Sequence, residues 1–124
     1  MNRLLLCLPL LLLLASCYNQ ERDCTTFKTG KFKFEYDIDG EKKVTYFERN
    51  DSIEIETFEG KVDTSSVRWI NDCEYVLKKI HPKNMQEEKA VHMKILTTQD
   101  DSYTFEFSIV GDTNKQKGTV TKIN

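Results

Sequence analysis

Carboxylates are the most numerous candidates for chemistry in this chain, and two of them are spaced for joint work. Glu54 and Glu56 lie two residues apart. On a β-strand that spacing points both side chains to one face, where two carboxyls can act as acid and base, as in glycoside hydrolysis. The same spacing is the ordinary pattern of a solvated strand face, and that is the expectation taken forward. Asp37-Ile38-Asp39-Gly40-Glu41 has the acidic spacing of a calcium loop. An EF-hand loop needs further ligands, a closing glutamate and flanking helices, whereas the flanks here alternate like strands. A hairpin turn is the stronger reading. His81 and His92 have no partner at H-E-x-x-H spacing. His81, before Pro82, reads as a loop residue, and His92 as a solvent-facing strand residue. Ser65 and Ser66 lack the G-x-S-x-G elbow of a serine nucleophile, and the five glycines read as isolated turn residues. From this inventory we expect no metal site, no cofactor and no enzyme activity.

The densest stretch is residues 64–77, TSSVRWINDCEYVL, which holds the only tryptophan, an arginine beside it and a cysteine. Large aromatics usually serve packing, so Trp69 reads as a core anchor, Asn71-Asp72 as a turn and Cys73 as a staple. If the domain encloses a ligand, Trp69, Tyr75, Tyr103 and Phe105 are the residues expected beside it.

The elements that must position these residues alternate with period two, the mark of half-buried strands. Phe32, Phe34, Tyr36 and Ile38 share one face; Lys31, Lys33, Glu35 and Asp37 share the other. Asp39-Gly40 follows, a dipeptide suited to a type I′ hairpin because both positions need positive φ. A second strand covers 42–49 and Asn50-Asp51 turns the chain. Ile53 and Ile55 then alternate with Glu54 and Glu56. Glu59-Gly60 leads into a strand over 61–70, with Val67 and Trp69 on one face, and Cys73, Tyr75 and Leu77 alternate after the next turn. The rhythm breaks at His81-Pro82, since proline cannot donate to a ladder; residues 83–89 fit a short helical turn or a loop. Strands resume over 90–98, along Tyr103, Phe105, Phe107 and Ile109, and over 117–123. Strands spaced about ten residues apart argue for an all-β sandwich or barrel. Hairpin links favour an up-and-down order, and closing such a sheet removes its edges. The expected fold is an all-β, eight-stranded antiparallel up-and-down meander closed into a small lipocalin-like barrel, with an open curved half-barrel as the alternative. Barrels of that size have room for side chains or one small ligand.

The first residues are of another kind. Asn2 and Arg3 precede an apolar run of 11 residues, 4–14, that ends in Leu14-Ala15-Ser16-Cys17. A positive start, a short apolar core and small residues form a secretory signal. The run is short of the roughly 20 residues a spanning helix needs. Its last four residues resemble the lipobox of bacterial lipoproteins. The resemblance implies cleavage before Cys17 and acylation of that cysteine, against the plainer alternative of an ordinary signal peptide. Stable anchoring needs more than one acyl chain, which a lipobox cysteine supplies. Tyr18 stands where enteric lipoproteins retained in the inner membrane carry aspartate, so the resemblance implies the outer membrane. The expected organisation is a signal peptide over 1–16, the lipidated cysteine and a short tether over 17–23, and one β-rich domain over 24–124. The six tether residues span roughly 20 Å when extended. With Cys7 removed and Cys17 lipidated, Cys24 and Cys73 remain. In an oxidising compartment a disulfide between them is expected; two buried thiols or a metal pair are the alternatives.

The whole chain carries 18 basic and 20 acidic residues. No basic stripe of the sort nucleic acid needs is present in the sequence. The segments CTTFKTGKF from Cys24, SVRWINDCE from Ser66 and KQKGTVT from Lys115 resemble a family of small uncharacterised Gram-negative envelope lipoproteins. Some members carry a topoisomerase IV label, which the export signal and the lack of a basic surface argue against. The resemblance implies location and fold rather than an activity. The expectation is therefore an envelope lipoprotein anchored to the membrane by lipid, holding a small apolar ligand in its barrel. A module that binds an envelope protein, as an assembly accessory or an enzyme inhibitor, is the alternative.

Overall fold

The computed structural model describes residues 22–124. The expected signal peptide, the expected lipidation at Cys17 and most of the expected tether lie outside the described residues. A 3-10 turn, Thr25–Phe27, precedes eight strands: β1 (Gly30–Ile38), β2 (Glu41–Arg49), β3 (Ile53–Phe58), β4 (Lys61–Asn71), β5 (Glu74–Lys79), β6 (Val91–Gln99), β7 (Ser102–Ile109) and β8 (Gln116–Lys122). Each pairs antiparallel with the next, and β1 pairs with β8 through Phe32↔Lys122, Lys33↔Thr121 and Phe34↔Val120. The sheet is thus a closed up-and-down barrel, not an open half-barrel. All of these ladders are made within residues 22–124, so the described residues form a complete sheet with no open edge.

Local chemistry explains the hairpins. Asp39 and Gly40 both take positive φ, 51° and 78°, as a type I′ turn requires. Between β2 and β3, Asn50 Oδ1 accepts hydrogen bonds from the backbone N–H of Ser52 and of Ile53, both at 2.9 Å. Asn71 Oδ1 does the same for Cys73 N–H at 2.9 Å between β4 and β5. Both are turns in which a side-chain amide replaces a backbone acceptor.

The connections divide the barrel into two ends. The turns after β2, β4 and β6 lie at one end with the start of β1 and the end of β8, and the 3-10 turn plugs that end. Phe27 and Cys24 of the plug are buried against Phe32, Ile95, Tyr103 and Val120. A Cys24–Cys73 disulfide ties the plug to the β4–β5 turn. The other end, the mouth, is ringed by the hairpins after β1, β3 and β7 and by residues 80–90. That last connection is built of turns and bends around His81-Pro82, and it carries no helix.

Three local expectations are corrected. Glu54 and Glu56 do not form a solvated outer face: β3 turns them inward and leaves Ile53 and Ile55 outside. The ladder sets Arg49 opposite Glu54 and Phe47 opposite Glu56, and Arg49 and Phe47 already face the interior. A one-residue change of register would exchange the faces, but it would leave Arg49 buried without a carboxylate. Ile38, expected on the apolar face, stands 46 % exposed at the mouth end of β1, beyond the reach of the core. The strand limits also differ by a residue at 42–49, 61–70, 90–98 and 117–123, as strand ends fray.

Candidate functional site

Arg49 organises the closed half of the interior. Its side chain is fully buried. Nη1 donates to Glu54 Oε1 at 2.9 Å and to the Tyr75 hydroxyl at 2.8 Å. Nη2 donates to Phe27 O at 2.6 Å and to the Tyr103 hydroxyl at 3.4 Å, and Nε donates to Lys28 O at 3.1 Å. The guanidinium also lies over the rings of Phe32 and Tyr75, with Cζ 4.6 and 4.7 Å from the centroids. One cation therefore joins the plug, the β2–β3 hairpin and two tyrosines of the opposite wall. A buried charge persists only when paired and hydrogen-bonded, and both conditions are met here. Burial opposes the charge on Arg49, but Tyr75, Tyr103 and Glu54 outweigh it and raise its pKa. Burial likewise pushes the hydroxyls of Tyr75 and Tyr103 above the ordinary tyrosine value, so both remain neutral.

Beyond this network the barrel is hollow. A cavity of about 190 Å³ lies between Phe34, Phe47, Leu77, Met93, Phe105 and Phe107, with Glu54, Glu56, Tyr75 and Tyr103 also on its wall. A second hollow of about 260 Å³ continues it toward the mouth, sharing Glu54, Glu56 and Leu77 and reaching Lys79, Gln86, Glu87 and Lys89. The space exists partly because β8 contributes Gly118. A Cβ there would stand 2.8 Å from the Phe34 ring and 2.9 Å from the Phe105 ring. Glycine lets these two rings meet edge to face, with centroids 5.5 Å apart.

The two inward glutamates differ. Burial raises the pKa of Glu54, and Arg49 pulls it back in part. Glu56 is exposed through the mouth, yet enough protein surrounds it for burial to raise its pKa; Lys79 offsets part of this and Asp63 adds to it. Lys79 cannot serve Glu56 fully, because its ammonium is held by Asp63 Oδ2 at 2.7 Å and Glu87 Oε1 at 3.2 Å. Among the described residues Glu56 has no salt bridge and accepts no hydrogen bond.

Tyr75, Tyr103 and Phe105 all line the inner cavity. Trp69 does not. It sits at the closed end against Tyr75, with centroids 4.5 Å apart, and Lys28 Nζ lies 5.0 Å from its ring. Its indole N–H is buried without a partner among the described residues. His92 faces outward from β6, with Nε2 3.9 Å from Glu74 Oε2. No group of three or more histidine, cysteine or acidic side chains among the described residues is placed to hold a metal. Arg49 was missed as an interior residue, although a signal existed: it continues the Thr45–Phe47 face, and Arg49 and Glu54 stand immediately before and after the four residues 50–53 that turn the chain.

No family model, curated protein or solved structure matches this chain. Its class rests on fold and site: a closed eight-stranded up-and-down barrel, plugged at one end, with an internal cavity reached from the other.

Proposed function

We propose that this chain is a lipid-anchored envelope lipoprotein that carries one small, largely apolar molecule inside its barrel. The observation that carries the reading is the aromatic cavity of about 190 Å³. Binding sites for small molecules are typically concave and mostly apolar, with a few placed polar groups. The volume is small for a cofactor site, but an apolar cavity of about 150 Å³ takes up benzene, so a single ring or short branched chain fits. The outer wall carries Lys33, Glu35, Lys42, Glu48, Lys94 and Glu106, which suits water rather than lipid tails. The lipobox resemblance supports the anchor. The chain enters the barrel at its plugged end, where Asp23 N–H donates to Thr98 Oγ1 at 2.8 Å. A lipid on Cys17 would set the closed end toward the bilayer and the mouth away from it, so cargo would exchange with the aqueous side.

Native mass spectrometry of the chain from Tyr18 onward, exported to the periplasm of its host, tests the cargo. A co-purifying small molecule is expected. A cargo-free protein that stays so after incubation with envelope lipid extract would remove the carrier reading. It would favour the alternative, a protein-interaction module, for which an outer-wall hollow bordered by Tyr46, Ile55 and Ile123 is the available surface. The anchor is tested separately: labelled palmitate should enter the full-length protein and not its Cys17→Ser variant.

A further inference from the structure

We infer that the molecule taken up by this barrel is a small organic cation, a protonated or quaternary amine on an apolar body. The inference rests on the carrier reading above and adds the chemical class of the cargo.

Charge at the cavity is one-sided once the internal pairs are removed. Arg49 is committed to Glu54, two backbone carbonyls and two tyrosine hydroxyls. Lys79 is committed to Asp63 and Glu87, and Lys43 at the rim to Glu41 and Glu59. Lys89 borders only the outer hollow and is exposed. No uncommitted ammonium or guanidinium among the described residues lines the inner cavity. The carboxylates are less well served. Glu56 has no partner among the described residues. Glu54 is only 7 % exposed, and Arg49 takes its Oε1 alone; nothing described donates to Oε2. Both residues border the inner cavity and the passage to the mouth.

The apolar part of the wall favours the same sign. Phe34, Phe47, Phe105 and Phe107 supply ring surfaces, and the face of an aromatic ring attracts a cation, more strongly where water is excluded. The closed end of this barrel already holds a cation in that way: Arg49 lies between rings with a carboxylate beside it. An amine in the cavity would meet the same combination, ring faces and Glu56. A carboxylate ligand would meet Glu54 and Glu56, with no uncommitted cation among the described residues of the cavity wall to offset the repulsion.

The test is calorimetric titration of the exported domain from Tyr18 with four probes of similar size: phenethylamine, benzyltrimethylammonium, 3-phenylpropanol and 3-phenylpropionate. We expect the two cations to bind at least about tenfold more tightly than the acid, with the alcohol between them. Glu56→Gln should weaken binding of the two cations at least about threefold more than it weakens binding of the alcohol. Binding of the alcohol with no preference for the cations, or equal amine binding by Glu56→Gln, overturns the inference and leaves the carrier reading standing. Failure of all four probes to bind the cargo-free domain overturns both.

Discussion

Arg49 and Glu54 stand opposite each other where β2 turns into β3, and Arg49 Nη1 donates to Glu54 Oε1 at 2.9 Å inside the barrel. The pair does more than neutralise a charge. It fixes which face of β3 looks inward, and through Phe27 O and Lys28 O it ties the plug to the wall. It also leaves Glu54 Oε2 without a donor among the described residues.

Removing the cation should be costly. Arg49→Met leaves Glu54 buried without its partner and frees two plug carbonyls, for an expected loss of about 3–5 kcal/mol. Replacing the pair together, Arg49→Met with Glu54→Leu, should recover part of that loss, because an apolar pair needs no desolvation. Urea unfolding of the three proteins measures both numbers. A single variant within about 1 kcal/mol of the parent would show that the network contributes little.

The Cys24–Cys73 bridge closes a sequence separation of 49 residues. In chain-entropy terms a loop of that length contributes about 4 kcal/mol. The Cys24→Ala/Cys73→Ala variant should therefore unfold at a lower urea concentration by a corresponding amount. The same shift is expected when the parent is reduced, and an unchanged midpoint under reductant would contradict it.

Gly118→Ala places a methyl within 3 Å of two rings. Overpacking of that kind costs about 1–3 kcal/mol, since Phe34 and Phe105 must give way. Their displacement should also narrow the cavity, so 3-phenylpropanol should bind the variant more weakly than the parent. Equal stability and equal affinity would mean that the rings move aside freely.

Glu56 makes a pH-dependent prediction. Its pKa in the folded protein is raised, chiefly by burial. At pH below the ordinary glutamate value the group is protonated in both states and costs nothing. As pH rises from that value through the raised one, the unfolded chain ionises first and stability is lost. Glu56→Gln should therefore match the parent at about pH 3 and exceed it in urea midpoint at about pH 7. A variant less stable than the parent at neutral pH would reverse the sign. A gain in stability combined with lost amine binding is the trade expected of a functional group held in an unfavourable site.

Much of the architecture is written in short-range pattern. Alternation marks the strands, and Asp39-Gly40, Asn50-Asp51 and Asn71-Asp72 mark hairpins through backbone angles and side-chain acceptors that depend on neighbours only. The hairpin order then leaves an up-and-down sheet as the natural outcome, with Cys24 and Cys73 as a plausible staple. Period two, however, says that Glu54 and Ile55 face opposite ways; it does not say which of them faces in.

That choice was made across space. Ranking side chains by polarity sends Glu54 and Glu56 outward, and it fails here because Arg49, already committed to the interior by the face it shares with Phe47, requires a carboxylate beside it. Closure was decided at the same level, by three residue pairs that join the first strand, β1, to the last, β8. So was the placing of Trp69 at the plug and of Phe34, Phe47, Phe105 and Phe107 around the cavity. Burial and charge pairing are sums over neighbours distant in the chain, so they become legible only when the barrel has brought those neighbours together.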